Sequence, residues 1–230
     1  MSQCCVSTYM LTVNIRCMSK LKPIVPKKKP VVKRPTTPSG EIRIIGGLWK
    51  RTKLSVADFP GLRPTPDRVR ETLFNWLGQD LSGWRCVDAF AGTGALGLEA
   101  ASRGAAEVWL LEQDQRLALH LQSACRRLGA TTVQVVRADA LGWMARRTVA
   151  GLDLVLLDPP FGADVFAQAV QAALPLLTED GWLYLEADRP FDAAACAAWG
   201  CRLHRQGRAG LVHFHLLQRS SGGAPVYTGA

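Results

Sequence analysis

Residues 158–161 read Asp158-Pro159-Pro160-Phe161 and follow directly on the apolar run Leu152-Asp153-Leu154-Val155-Leu156-Leu157. Such a run predicts a buried strand with an acid at its tip. The prolines donate no backbone hydrogen bond, and each fixes its own φ. The carbonyls around them are therefore held in place with few local N–H partners. The Asp158 carboxylate and a carbonyl near Pro159 can together accept two hydrogen bonds from one exocyclic amino group. The Phe161 ring can stack on the flat base that carries that group. This set suits group transfer to a nucleobase nitrogen. Alone, it more readily describes a strand end with a tight turn.

A second motif lies upstream: Cys86-Val87-Asp88-Ala89-Phe90-Ala91-Gly92-Thr93-Gly94-Ala95-Leu96-Gly97. Gly92, Gly94 and Gly97 spell G-x-G-x-x-G between an expected strand at 84–89 and an expected helix at 95–103. The glycines allow a tight turn and a close ligand approach. This turn serves nicotinamide, flavin and S-adenosylmethionine sites alike. Asp88 separates them. Its carboxylate would repel a pyrophosphate but attract a cofactor with an α-ammonium and a sulfonium, which favours S-adenosylmethionine over NAD. Two more acids follow. Glu107–Glu112 reads as a strand whose final acid can accept both ribose hydroxyls. Thr132–Arg137 reads as a third strand, and Asp139, followed by Ala140, is placed to meet the adenine amino group. The expected cofactor set is therefore Asp88, Phe90, Gly92, Gly94, Glu112, Asp139 and Ala140. Each acid by itself could be a solvated strand end. Four expected strands ending in acids fit better with a ligand at the carboxyl edge of an open parallel sheet.

With these residues assembled, the chain resembles class I S-adenosylmethionine-dependent methyltransferases, and more closely the bacterial small-subunit ribosomal RNA guanine-N2 methyltransferases. The likeness is carried by Arg43-Ile44-Ile45-Gly46-Gly47, by Arg63-Pro64-Thr65-Pro66-Asp67-Arg68-Val69-Arg70-Glu71-Thr72-Leu73-Phe74-Asn75, by the glycine motif with Asp88 and Phe90, and by Asp158–Phe161. It covers roughly residues 41–218. It implies methyl transfer from S-adenosylmethionine to guanine N2 in 16S ribosomal RNA, with Asp158, Pro159 and Phe161 at the reacting base and no metal. Three rivals share parts of the pattern. An adenine-N6 methyltransferase uses the same Asp-Pro-Pro-aromatic device but needs a target-recognition insertion for which the chain has little room. A non-catalytic RNA-binding module would not need Asp88, Glu112 and Asp158 together. A protein-glutamine methyltransferase usually has Asn before the prolines.

These residues require a frame. From Trp84 onward the pattern alternates: strands at 84–89, 107–112, 132–137, 152–157 and 181–187, with helices at 95–103, 114–128, 140–147, 163–177 and 192–199. Such alternation builds a mostly parallel α/β sheet with helices on both faces, a Rossmann-like arrangement. Two closing strands, about 201–206 and 211–218, joined by Gly207-Arg208-Ala209-Gly210, predict an antiparallel terminal hairpin and a seventh strand. Upstream, residues 41–54 predict a small hairpin turning near Gly46-Gly47. Thr65 is the expected N-cap, with Pro66 first and Asp67 near the positive end, of a helix to about Leu77. The expected domains are a disordered basic leader at 1–40, a hairpin-and-helix extension at 41–80, a methyltransferase domain at 81–218 and a flexible tail at 219–230. Met18 is an alternative natural start.

Charge points to a polyanion. The net +9 is uneven: residues 1–40 hold eight Lys or Arg and no acid, 41–70 seven basic and three acidic residues, and 71–230 thirteen basic and sixteen acidic. A slightly acidic body with a basic flank suits RNA. Arg43, Lys50, Arg51, Lys53, Arg63 and Arg68 are the expected phosphate contacts, and ribosomal RNA, either naked or within an assembling small subunit, is the expected partner. Arg70 is either solvated or turned toward the cofactor pocket. Seven scattered cysteines without a Cys-x-x-Cys argue against a disulfide framework or zinc site and suit a reducing cytoplasm. No apolar run reaches the roughly 18 residues of a membrane span. A monomer is the simplest expectation.

Overall fold

A computed structural model describes residues 40–57, 59, 62, 64–147, 151–160 and 165–220. Residues 1–39 of the expected leader, Arg63, Phe161 and residues 221–230 of the expected tail lie outside these. Two short strands come first, β1 (Glu41–Arg43) and β2 (Lys53–Ser55), then helix α1 (Asp67–Leu77). The main body runs β3 (Arg85–Asp88), α2 (Ala95–Ser102), β4 (Glu107–Glu112), α3 (Gln115–Leu128), β5 (Val133–Arg137), α4 (Ala140–Ala145), β6 (Leu152–Leu157), α5 (Phe166–Ala173), β7 (Leu177–Ala187), α6 (Ala193–Ala198), β8 (Cys201–Ala209) and β9 (Val212–Arg219). These strands form one seven-stranded sheet in the order β5-β4-β3-β6-β7-β9-β8. The strands β3 to β7 run parallel, and β9 pairs antiparallel with both β7 and β8. Among the described residues no helix is long and apolar enough to cross a membrane.

The central strands are nearly continuous apolar runs because both of their faces are covered. On one face Cys86, Leu110, Leu154, Leu156 and Tyr184 pack against residues of α1, α2 and α3. On the other, Val87, Leu111, Val155, Leu157 and Leu185 meet residues of α4, α5 and α6. Cys86, Cys125, Cys196 and Cys201 are buried and unpaired, behaving as small apolar side chains.

The N-terminal extension is fastened to α2. The buried Glu99 carboxylate accepts the Ile45 and Gly46 backbone N–H groups, each at 2.8 Å. It also pairs with Arg70 at 3.2 Å and Arg103 at 2.8 Å. One helical turn on, the Ser102 backbone oxygen accepts the Leu48 N–H and its hydroxyl accepts the Trp49 N–H. Gly47 has φ 73, and a Cβ there would fall 1.7 Å from the Ser102 oxygen. Only glycine lets the loop come this close. In α1, Val69, Leu73 and Phe74 are fully buried, each contributing roughly 1.5–3 kcal/mol.

Several details differ from the sequence expectation. The hairpin keeps only three paired residues per strand, and residues 44–52 wrap around the end of α2 instead of extending the ladder. Thr65 does not cap α1: Pro66 occupies that position without a side-chain bond, and Thr65 is buried. Arg70 is neither solvated nor in the pocket, being 1% exposed between Glu99 and Asp67. The strand expected at 181–187 begins at Leu177, because a short 3-10 turn at Leu174–Leu176 ends the preceding helix early. Gly207 is inside β8, not in the turn, since its missing Cβ makes room for the Phe214 ring, 2.4 Å from where that Cβ would sit.

Candidate cofactor and base site

Asp88 ends β3 and is 1% exposed. Its Oδ2 accepts the Gly97 N–H at 2.9 Å, tying strand to helix across the glycine turn. A Cβ on Gly97 would sit 2.2 Å from Leu110 and 3.0 Å from the Asp88 Cβ, so that contact depends on glycine. Gly92 and Gly94 have φ of 49 and 76, the left-handed region that glycine enters freely. The other Asp88 oxygen, Oδ1, is buried with no hydrogen-bond partner. Burial pushes the Asp88 carboxyl up to about 7, and the nearby Asp158 and Glu112 add to the rise against the Gly97 bond.

Glu112 ends the next strand. Its two oxygens accept the Gly92 N–H at 3.0 Å and the Asp114 N–H at 2.8 Å. It thus braces the glycine turn and retains lone pairs for further donors. Asp139, two residues past β5, is exposed and caps α4, accepting the Gly142 N–H at 2.7 Å through one oxygen. Ala140 is buried behind it, and Phe90 packs at the edge of the lower apolar cluster.

On the other side of β3, Asp158 follows the last residue of β6, with Pro159 buried and Pro160 exposed. Burial pushes the Asp158 carboxyl up to about 7 as well. One strand further along, Glu186 was not singled out from the sequence. It is 2% exposed. The Tyr184 hydroxyl donates to its Oε1 at 2.9 Å, and the Thr65 side chain also bonds to it. Its carboxyl lies well above the usual range through burial and the nearby Asp158. The signal was available, since Leu183-Tyr184-Leu185-Glu186 repeats the apolar-run-then-acid pattern of the other strands.

The row is therefore Asp139, Glu112, Asp88, Asp158, Glu186, in the spatial order of β5, β4, β3, β6 and β7. Among the described residues, no Lys or Arg pairs with Asp88, Glu112, Asp158 or Glu186. Glu99 nearby, by contrast, has two arginines. Buried carboxyls without a cation, one with an orphaned oxygen, are costly unless a ligand supplies positive charge. The residues present fit S-adenosylmethionine on this ground and would oppose a pyrophosphate.

The expected RNA residues that the structure describes belong to the two N-terminal strands, the loop between them and α1. Arg43, Lys50, Arg51, Lys53 and Arg68 are exposed. Lys53 pairs with Glu41 at 2.8 Å across the small hairpin, both side chains remaining largely solvated. Arg51 has φ 69, unusual for a residue with a side chain, and its N–H donates to the Ile44 oxygen at 2.8 Å.

Strand order, terminal hairpin and acid row together define a Rossmann-like protein of the class I methyltransferase type. More narrowly, the chain belongs to the family described as conserved hypothetical protein 95, whose model matches residues 42–218. It is 42% identical over 192 residues to ribosomal RNA small subunit methyltransferase D of Escherichia coli K12, covering 80% of this chain and 93% of that one. The protein of the same name from Haemophilus influenzae is 37% identical, with 81% and 100% covered. The solved structure of putative methyltransferase yhhF from Escherichia coli superposes with a TM-score of 0.68 at 39% identity, covering 80% of this chain and all of that one.

Proposed function

We propose that this chain transfers a methyl group from S-adenosylmethionine to the exocyclic N2 amino group of a guanine in small-subunit ribosomal RNA. The observation that carries the reading is the row of carboxyls at the sheet's carboxyl edge, unmatched by any described cation and including the unpartnered Asp88 Oδ1. The names of the relatives support ribosomal RNA as the substrate class.

Asp88 would hold the positively charged amino-acid end of the cofactor, Glu112 its ribose hydroxyls and Asp139 its adenine amino group. Gly92 and Gly94, with Phe90 and Ala140, would shape the backbone around it. When bound, the cofactor offers a methyl carbon already activated by its sulfonium. Positioning and electrostatics are then the protein's main contributions. Guanine N2 is a poor nucleophile because its lone pair is delocalised into the ring. Asp158 and the carbonyl near Pro159 would accept its two N–H groups and turn the lone pair toward the methyl. After the N–C bond forms, that nitrogen carries a surplus proton, which the Asp158 carboxylate is placed to take. Phe161 would stack on the base, a contact of roughly 1–3 kcal/mol. The base must leave its stack to reach the site.

Arg43, Lys50, Arg51, Lys53, Arg63 and Arg68 would meet RNA phosphates. The hairpin and α1 act as the capturing extension of residues 41–80, and residues 81–218 as the catalytic domain. The working form is a cytoplasmic monomer acting on RNA within an assembling small subunit. The test is mapping of N2-methylguanine in ribosomal RNA from cells with and without the protein, together with radioactive methyl transfer by wild type and Asp158→Ala. Asp158→Ala is expected to keep cofactor binding and lose turnover by orders of magnitude. Unchanged turnover refutes the amino-holding role, and methyl on adenine N6 instead refutes the base assignment.

A further inference from the structure

The acid row extends one strand beyond the residues that the proposed reaction uses. The parallel pairing of β6 and β7 sets Leu156 beside Tyr184 and Leu157 beside Leu185, so the next pair is Asp158 and Glu186. Asp88 pairs with Leu156 on the other side, which puts Asp88, Asp158, Tyr184 and Glu186 on neighbouring strands around one spot. The titratable groups interacting with Asp158 are Asp88 from β3 and Glu186 and Tyr184 from β7, and Glu112 from β4 acts on Asp88 next to them. All are acids. Arg70 of α1, the nearest element above, is engaged by Glu99 and Asp67. Carboxyls crowded in this way do not all ionise, and one of them retains a proton.

Glu186 is the candidate set beside Asp158 by the β6–β7 register, and like Asp88 it is almost fully enclosed. It is 2% exposed, bonded at one oxygen by Tyr184 and reached by Thr65 from the start of α1. Asp158, in contrast, is only half-buried. Resting on the methyl-transfer reading above, we propose that Glu186 is a positioning residue for the target base: it is the member of the cluster that stays uncharged, and it thereby leaves Asp158 as the anionic acceptor for the amino group. Burial, with Asp158 and Asp88 nearby, also holds the Glu186 carboxyl above that of an ordinary glutamate, against the opposing pull of the Tyr184 and Thr65 hydrogen bonds. The Thr65 bond gives Glu186 a second effect. It joins the segment leading into α1, next to the RNA-facing extension, to the strand beside Asp158.

The competing account is purely structural, in which Glu186 only pins Thr65 and Tyr184. The two are separated by Glu186→Gln and Glu186→Leu in the full chain. Cofactor affinity is read by calorimetry, and kcat and KM for small-subunit RNA are read from pH 6 to 9. Glu186→Gln keeps a neutral hydrogen-bonding group. It should keep kcat within about threefold and leave the acid limb of the kcat profile in place. Glu186→Leu cannot bond Tyr184 or Thr65. It should lower kcat by about tenfold or more with cofactor affinity and RNA KM nearly unchanged. An acid limb displaced by about one pH unit in Glu186→Gln means that Glu186 was the charged member, which overturns the proposal. Normal kcat in Glu186→Leu overturns it too. If Glu186→Leu does not fold, kcat and the acid limb of Glu186→Gln decide. Absence of methyl transfer by the unaltered chain, with cofactor binding intact, refutes the reaction itself, an outcome distinct from either displaced variant.

Discussion

Glu99→Gln tests how the extension is held. The Glu99 carboxylate receives backbone N–H groups from Ile45 and Gly46 and charged donors from Arg70 and Arg103, all in a site closed to solvent. Glutamine retains one acceptor oxygen. Its NH2 group must face one of the two sets of donors, either Ile45 with Arg70 or Gly46 with Arg103. One backbone N–H is then left buried and unpaired, at roughly 1–3 kcal/mol. Both arginines also lose their shared counter-charge, although Arg70 keeps Asp67 at 2.6 Å and the Arg43 oxygen at 2.9 Å. Breaking a buried ion pair from one side costs about 3–5 kcal/mol. For a domain of this size that lowers Tm by roughly 6–20 °C. Thermal melts of wild type and variant give the number, and limited proteolysis shows whether cleavage begins in residues 44–52. A fall in Tm of under about 2 °C, inside the range for ordinary surface changes, would refute this account of the anchor.

Three further outcomes are expected. Asp158 ionises near 3.9 in an unfolded chain but near 7 in the fold, so between those values the unfolded state sheds its proton first and stability falls as pH rises. Asp158→Asn should therefore gain Tm relative to wild type at pH 8 compared with pH 5.5, and an equal difference at both excludes a raised carboxyl. Gly97→Ala would add about 1 kcal/mol of helix propensity but force Leu110 and Asp88 apart, costing typically 1–3 kcal/mol and weakening cofactor binding; calorimetry showing tighter binding would contradict the close packing. Replacing Lys50, Arg51 and Lys53 together with alanine should raise KM for RNA, leave cofactor affinity alone and lower the salt slope by roughly 0.7–0.9 per lost phosphate contact. A truncation beginning at Pro38 is the comparison, and weakened binding in that chain alone would move the RNA contacts to the leader.

The sequence was most legible where one pattern served one purpose. Apolar runs ending in acids placed β3, β4 and β6 and their acids, because strands covered on both faces show as continuous runs. Thr65 was misjudged because a threonine before Pro66 and Asp67 satisfies the local rule for a cap, whereas its partner Glu186 lies far along the chain. Arg70 read as either solvated or pocket-facing for the same reason, its partner Glu99 being 29 residues away. Gly207 read as a turn residue, since nothing local reveals that Phe214 of the facing strand fills its missing side chain. Pairings across the fold, not propensities, account for these differences.

The acid row also works as a ruler. Glu112, Asp88 and Glu186 lie in β4, β3 and β7, and Asp139 and Asp158 just past the ends of β5 and β6; neighbouring strands are about 4.8 Å apart, so the row spans four gaps or roughly 19 Å. Its graduations run across the strands, and their spacing is fixed by backbone hydrogen bonds that no side-chain substitution alters. A ligand that touches both ends must lie extended along the sheet edge. Compact molecules of the same charge reach only two or three marks. Replacing any single acid therefore erases one mark without moving the others.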